Sequence, residues 1–183
     1  MPEFIDGLPL HALVVHFVVV LLPIAVLGAI LTAVWPAVRR RFGWLAVAAA
    51  GVGAALTPVA TSSGTNLADR VGTNPQVEKH MELGEQLIWW SLPLFLLVGA
   101  LMVLHTMAER KATVKVAVGA AGAEHEEAPA PAGKGPALAL IVAAVLTVGV
   151  AVGTGIHVYR VGDAGARAVW GDVQNLPPAG NGG

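Results

Sequence analysis

The dominant pattern in this chain is a series of four long apolar segments separated by shorter polar ones. The segments lie at about residues 8–34, 43–60, 87–107 and 137–158. Each is close to the ~20 residues that an α-helix needs to cross the hydrocarbon core of a bilayer. The pattern therefore predicts an all-α fold, a four-transmembrane-helix bundle that forms a single membrane domain over residues 1–183.

The composition narrows the class of protein further. Hydrophobic residues make up 55% of the chain and charged residues only 13%, whereas a soluble domain carries about 25% charged residues. A net charge of −1 offers no cationic surface for a phosphate backbone, so nucleic acid is not an expected partner. The absence of cysteine excludes disulfides, thiolate metal sites and iron–sulfur clusters. A lipid bilayer is the expected environment.

The distribution of basic residues predicts the orientation. The loops after the first and third segments contain 7 of the 11 basic residues: Arg39, Arg40, Arg41, Arg110, Lys111, Lys115 and Lys134. Cytoplasmic loops are enriched in Lys and Arg. We therefore expect a multi-pass protein of the plasma membrane, with both termini on the outer side.

The polar segments carry their own local signals. Residues 116–135 are rich in Ala, Gly and Pro, which predicts a flexible cytoplasmic linker, and residues 159–183 form an outer C-terminal tail. Asn74 before Pro75, followed by Glu78, predicts a helix start near Pro75. Ser62, Ser63 and Gly64 have the composition of a turn.

Two prolines lie inside the apolar segments. Pro23 is in the first segment and Pro93 is in the third. Neighbouring helices can satisfy the carbonyl that a proline leaves free, so these prolines predict kinks rather than helix ends.

Histidines supply the candidate chemistry. An ionisable residue near a span is a functional hypothesis by default. With the predicted orientation, four histidines belong to the outer half of the bundle: His11, His16, His80 and His157. His105 lies at the opposite end of the third span, and His125 lies in the linker.

The spacing of these histidines predicts that a site must combine different helices. His11 and His16 are five residues apart, or about 140° around a helix, so they do not share a face. A b-type haem takes two imidazoles from different helices of a bundle. His16 and His80 are the first choice for the haem iron, with His11 or His157 as substitutes. If the third helix enters the hydrocarbon only at Leu87, however, His80 lies well above His16.

Three functions remain open from the residues alone. The first is a haem b-binding electron-transfer or redox-accessory module. The second is a transition-metal binder on the outer face that uses His11, His80, His157 and Glu82 or Glu85. The third is a cofactor-free structural or interaction subunit. None of these is expected to be an enzyme on its own, and the expected assembly is a homo-oligomer or a membrane redox complex.

Three motifs resemble a known bacterial membrane family. The segments HALVVHF at residues 11–17, EKH at 78–80 and GIHVYRVG at 155–162 are similar to those of the family called domain of unknown function 2231. Ala12 and Val18 stand where that family usually has proline. The tail at 163–170 is similar to that of actinobacterial members.

The resemblance implies a four-helix protein without a settled activity. Its pattern of span histidines looks like that of diheme b-type cytochromes. In this chain only His105 is available at the inner end, which argues against a second haem.

Overall fold

The computed structural model describes residues 4–121 and 135–171. The two short strands are β1 (Phe4–Ile5) and β2 (Leu8–Pro9), and the helices are α1 (Leu10–Val34), α2 (Pro36–Val71), α3 (Pro75–Gln86), α4 (Ile88–Ala121) and α5 (Gly135–Trp170). The strands pair antiparallel through a turn at Asp6 and Gly7, both with positive φ, as a two-residue hairpin favours.

Four stretches of helix in the described residues are long and apolar enough to cross a membrane: Leu10–Val34, Pro36–Val71, Pro75–Val114 and Ala137–Trp170. The predicted all-α fold with four membrane-length helices is therefore confirmed. The first helix lies within the apolar segment read from the sequence, and the other three extend beyond theirs. We call the two ends of the bundle the His11 end and the Arg39 end, after a residue in the first turns of α1 and α2.

Proline and glycine set the corners between the helices. Trp35 lies between α1 and α2 in an extended conformation, with φ −119° and ψ 105°, because a residue that precedes proline is disfavoured in the helical region. Pro36 then opens α2, where its missing N–H costs nothing. At the other end of α2, Gly72 has a φ of 81° and its N–H binds the Ala68 carbonyl, so it reverses the chain as a C-terminal glycine commonly does.

The predicted helix start near Pro75 is confirmed. Asn74 is the N-cap of α3, and its side-chain oxygen accepts hydrogen bonds from the backbone N–H groups of Gln76 and Val77. This satisfies two of the N–H groups that the first turn of a helix leaves free.

The predicted turn at residues 62–64 is wrong, because these residues lie inside α2. The hydroxyl of Ser62 donates to the Val59 carbonyl and that of Ser63 donates to the Ala60 carbonyl. Both serines thus satisfy their own polar groups within the helix, which removes the need for a turn.

Prolines within the spans do not end the helices. Pro23 and Pro93 lie inside α1 and α4, as the sequence predicts, and Pro58 lies inside α2. The interruption between α3 and α4 occurs instead at Leu87. Its N–H binds the Gly84 carbonyl, 3.1 Å away, one residue short of the usual helical partner Leu83.

The core is built from small residues on α1 and α2 against larger residues on α4. Its central cluster consists of Ala25, Val26, Ala29, Ala46, Ala50, Leu94, Val98 and Ala151. Small side chains let helix backbones approach closely, which is the usual basis of packing in lipid. The outward-facing side chains are largely apolar, as expected for contact with lipid, and include Phe17, Leu27, Ile141, Val145 and Ile156.

Two predicted segments extend beyond what the structure describes. The predicted linker at 116–135 overlaps the end of α4, which runs to Ala121, and its residues 122–134, with His125, lie outside the described residues. The predicted tail at 159–183 begins inside α5, which runs to Trp170, and residues 172–183 lie outside the described residues.

Candidate functional site

His11 lies in the first turn of α1 with its ring against α2. Its Nδ1 donates a hydrogen bond to the backbone carbonyl of Ala60, 2.9 Å away. The ring covers Gly64, where an added Cβ would lie 2.9 Å from Cε1 and 3.1 Å from Nδ1 of His11. Gly64 therefore provides a surface of bare backbone for the ring.

His80 repeats this arrangement between α3 and α5. Its Nδ1 donates to the carbonyl of Val161 at 3.0 Å, and its ring covers Gly165, where an added Cβ would lie 2.9 Å from Cε1 and 3.0 Å from Nδ1. In both cases the accepting carbonyl lies four residues, about one helical turn, before the glycine. Two helices thus hold two imidazoles by the same local geometry.

The two rings meet edge to face. Their centroids are 6.2 Å apart and their planes are 78° from parallel. Because each Nδ1 donates to a carbonyl, each neutral ring has its lone pair on Nε2. Among the described residues, neither Nε2 takes part in a hydrogen bond. Both lone pairs are therefore available to a ligand.

This arrangement is typical of histidines that bind a metal. A metal-ligating histidine usually donates its other ring N–H to a carbonyl or carboxylate, which fixes the tautomer and the ring orientation. The carbonyls of Ala60 and Val161 are placed to do this. A zinc ion would require three or four protein ligands, and the described residues contain no group of three His, Cys, Asp or Glu side chains that could hold an ion. The pair suits a cofactor that needs two protein ligands.

His157, a predicted site residue, is engaged elsewhere. Its side chain is buried in α5, with 3% of its surface exposed. Its Nε2 donates to the Leu83 carbonyl at 2.9 Å, and its ring stacks on Trp90, with centroids 6.0 Å apart. This hydrogen bond joins α5 to the end of α3.

His16, the first choice from the sequence together with His80, lies on an exposed face of α1. Its Nδ1 donates to the carbonyl of Ala12 within the same helix. The structure brings His80 together with His11, which lies about 7.5 Å nearer the helix start than His16. This is the depth difference that the sequence already indicated. Iron binding by His16 and His80 stays a prediction, as does metal or cofactor binding by any of the four histidines.

His105 lies toward the Arg39 end, 9% exposed. Its Nε2 is 3.3 Å from Oε1 of Glu109, one turn along α4, without the angle of a hydrogen bond. Among the described residues, no second histidine accompanies it at this end of the bundle.

Sequence reasoning missed the residues that hold the pair: Ala60, Gly64, Val161 and Gly165. The residues around Gly64 predict a turn, and Gly165 falls within the predicted C-terminal tail. The spacing of four residues between each carbonyl and its glycine is too common in apolar helices to be a signal by itself.

Comparison with known proteins agrees with the fold. The profile of a family described as "Predicted membrane protein (DUF2231)" matches residues 7–175, which includes all the elements that hold the histidine pair. No curated protein and no solved structure matches the chain. The chain belongs to the DUF2231 family of predicted multi-pass membrane proteins.

Proposed function

We propose that this protein is a membrane redox module that binds one b-type haem, with His11 and His80 as the axial ligands. The observation that carries the proposal is the pairing of these two imidazoles, each fixed through Nδ1 and each with a free Nε2. The family match supports a multi-pass membrane protein and assigns no activity.

The distance between the rings supports this assignment. Two imidazoles on opposite sides of one metal, each with a metal–nitrogen distance of ~2.1 Å, have ring centroids about 6.5 Å apart. The His11 and His80 centroids are 6.2 Å apart. The separation of the two rings is thus close to the separation that one iron held by both imidazoles would require.

The number of ligands supports haem over a bare ion. Haem iron in cytochromes takes axial ligands from the protein, and the porphyrin supplies the others, so two histidines are sufficient. Glu82, the nearest candidate carboxylate in the sequence, binds Lys79 at 2.7 Å, so it is engaged on the surface of α3. This favours haem over the transition-metal alternative.

Two protein ligands would define the chemistry of the bound group. His11 and His80 would together hold the haem, which would then supply one-electron transfer. The chain's contribution is to hold both rings in one orientation: His11 is fixed to α2 and His80 to α5. A rigid pair of ligands keeps structural change on oxidation and reduction small.

The basic residues support an outer location for the pair. Arg40, Arg41, Arg110 and Lys111 lie toward the Arg39 end of the bundle, away from the histidine pair, and are exposed. If this end is cytoplasmic by the positive-inside rule, the pair serves a redox partner on the outer side of the plasma membrane.

The test is a reduced-minus-oxidised visible spectrum of protein purified in mild detergent from haem-replete cells. We expect sharp α and Soret bands that are lost in His11→Ala and in His80→Ala. His16→Ala is the matched control, because His16 is exposed on the same helix as His11, and we expect it to retain the bands.

Three results would overturn the proposal. A folded, colourless protein with bound copper or zinc would identify the transition-metal function. A folded, colourless and metal-free protein that co-purifies with a partner would identify the structural subunit. Loss of the bands in His16→Ala but not in His11→Ala would return the ligand role to His16.

A further inference from the structure

The glycines beneath the two histidines each lie against an imidazole ring from another helix. An added Cβ at Gly64 or Gly165 would lie 2.9 Å from a ring carbon of His11 or His80, closer than non-bonded carbon atoms normally approach. An added Cβ at Gly84 in α3 or at Gly162 in α5 would meet nothing within 4 Å. Several other glycines of α2 and α5 are covered by Met, Phe, Leu or Trp side chains, whereas Gly64 and Gly165 are covered by histidine rings.

The contact involves the edge of each ring that is tied to the helix. At both glycines the nearest ring atoms are Cε1 and Nδ1, while Nε2 lies farther away, at 3.7 Å for His11 and 3.6 Å for His80. A methyl group would therefore push against the edge that donates to the carbonyl. The ring would have to move away from its acceptor, and its Nε2 would move with it.

We infer that Gly64 and Gly165 are positioning residues that fix the location and plane of the His11 and His80 imidazoles. This inference rests on the proposed function for its role in haem binding, whereas the positioning of the rings is a property of the chain itself. Each glycine acts through its histidine: the bare backbone lets the ring approach closely enough for Nδ1 to reach the carbonyl one turn earlier.

The expected effect is on the site rather than on folding. Alanine is favoured over glycine inside a helix, which offsets part of the strain from the displaced ring. Loss of the hydrogen bond that orients a ligating histidine typically weakens metal binding about 10- to 100-fold. We expect Gly64→Ala and Gly165→Ala to fold, and to bind haem about 10- to 100-fold more weakly than the unsubstituted protein.

The first measurement needs no haem. Full-length protein labelled with ¹⁵N-histidine is prepared without haem in detergent, and the imidazole nitrogen signals are recorded. We expect Gly64→Ala to shift the His11 Nδ1 signal and Gly165→Ala to shift that of His80. Gly162→Ala and Gly84→Ala are the matched controls, with both signals unchanged. His11→Ala and His80→Ala assign the signals.

The second measurement uses the protein loaded with haem. The midpoint potential and the electron paramagnetic resonance of the ferric form both report the orientation of the axial rings. We expect them to change in Gly64→Ala and Gly165→Ala and to stay unchanged in Gly162→Ala.

The outcomes separate the two proposals. If Gly64→Ala and Gly165→Ala leave the Nδ1 signals where the controls leave them, the positioning role is overturned. If the Nδ1 signals shift but the unsubstituted protein binds no haem, the proposed function fails and the positioning of the histidine pair stands.

Discussion

His157 donates its Nε2 hydrogen to the carbonyl oxygen of Leu83, 2.9 Å away, at the point where α3 gives way to α4. The usual helical donor to this carbonyl would be the N–H of Leu87, which binds Gly84 instead. The imidazole therefore takes the place of a backbone donor that the interruption removes. In a bilayer every backbone polar group must be satisfied within the protein, so the imidazole compensates for the helical hydrogen bond that is missing at Leu83.

The first prediction concerns this bond. His157→Phe keeps a ring to stack on Trp90 but removes the donor to Leu83. We expect the free energy of unfolding to fall by about 1–2 kcal/mol, measured by titration with denaturing detergent in mixed micelles. His16→Phe is the control, because His16 is exposed and bonds only within its own helix. Equal losses in the two variants would show that the Leu83 bond contributes nothing.

The second prediction separates a ligand from a structural ring at His11. His11→Gly opens a space the size of an imidazole above Gly64. If the His11 ring is a ligand, free imidazole added at millimolar concentration restores the low-spin haem spectrum of this variant. His16→Gly is expected to need no imidazole. A His11→Gly protein that keeps its full spectrum without imidazole would contradict the assignment.

The third prediction concerns the Arg39 end. The Arg39 guanidinium donates from Nε to the carbonyl of Thr32 at 2.8 Å, and from Nη2 to the carbonyl of Ala33, so one planar group satisfies two carbonyls at the C-terminus of α1. We expect Arg39→Gln to lower the free energy of unfolding by about 1–3 kcal/mol.

Two variants complete this test. The free energy of unfolding of Arg39→Lys is expected to lie between that of Arg39→Gln and that of the unsubstituted protein. An ammonium group still donates hydrogen bonds, but it lacks the planar fork of the guanidinium. Arg40→Gln, at an exposed neighbour in the same turn, is expected to be close to neutral. A loss in Arg40→Gln as large as in Arg39→Gln would indicate a general effect of charge instead.

The fourth prediction concerns close packing of α1 and α2. An added Cβ at Gly53 would lie 2.5 Å from Cδ2 of Leu22, whose side chain is fully buried. We expect Gly53→Ala to cost about 1–3 kcal/mol through overpacking. At Gly99 in α4 the nearest atom is Cγ1 of Val47, at 4.0 Å, so Gly99→Ala is expected to be neutral or slightly stabilising. Equal unfolding free energies for the two variants would argue against overpacking at Gly53.

Local features of the fold can be predicted from the sequence, whereas the contacts between helices cannot. The four spans can be predicted from the sequence because the bilayer requires each helix by itself to be apolar over ~20 residues. The start of α3 at Pro75 can be predicted for a similar reason, because the Asn74 side chain caps N–H groups within the same turn. Both depend on residues close together in the chain.

The choice of histidines was beyond sequence reasoning. His11 and His16 are on the same helix, and which of them meets His80 depends on how far α3 is displaced along its axis relative to α1. The contact of His11 with α2 and that of His80 with α5 decide the pairing, and both are tertiary contacts.

The sequence by itself determined the four-helix membrane fold, the resemblance to one family and a small set of candidate histidines. The tertiary structure decided that His11 meets His80, that His157 serves the backbone of α3, and that Gly64 and Gly165 lie beneath the rings. The physical reason is that a glycine in a helix has no partner until another helix packs on it. The composition of residues 62–64 is that of a turn, but these residues lie in α2. Gly64 becomes a surface for the His11 ring only because α1 packs against α2 there.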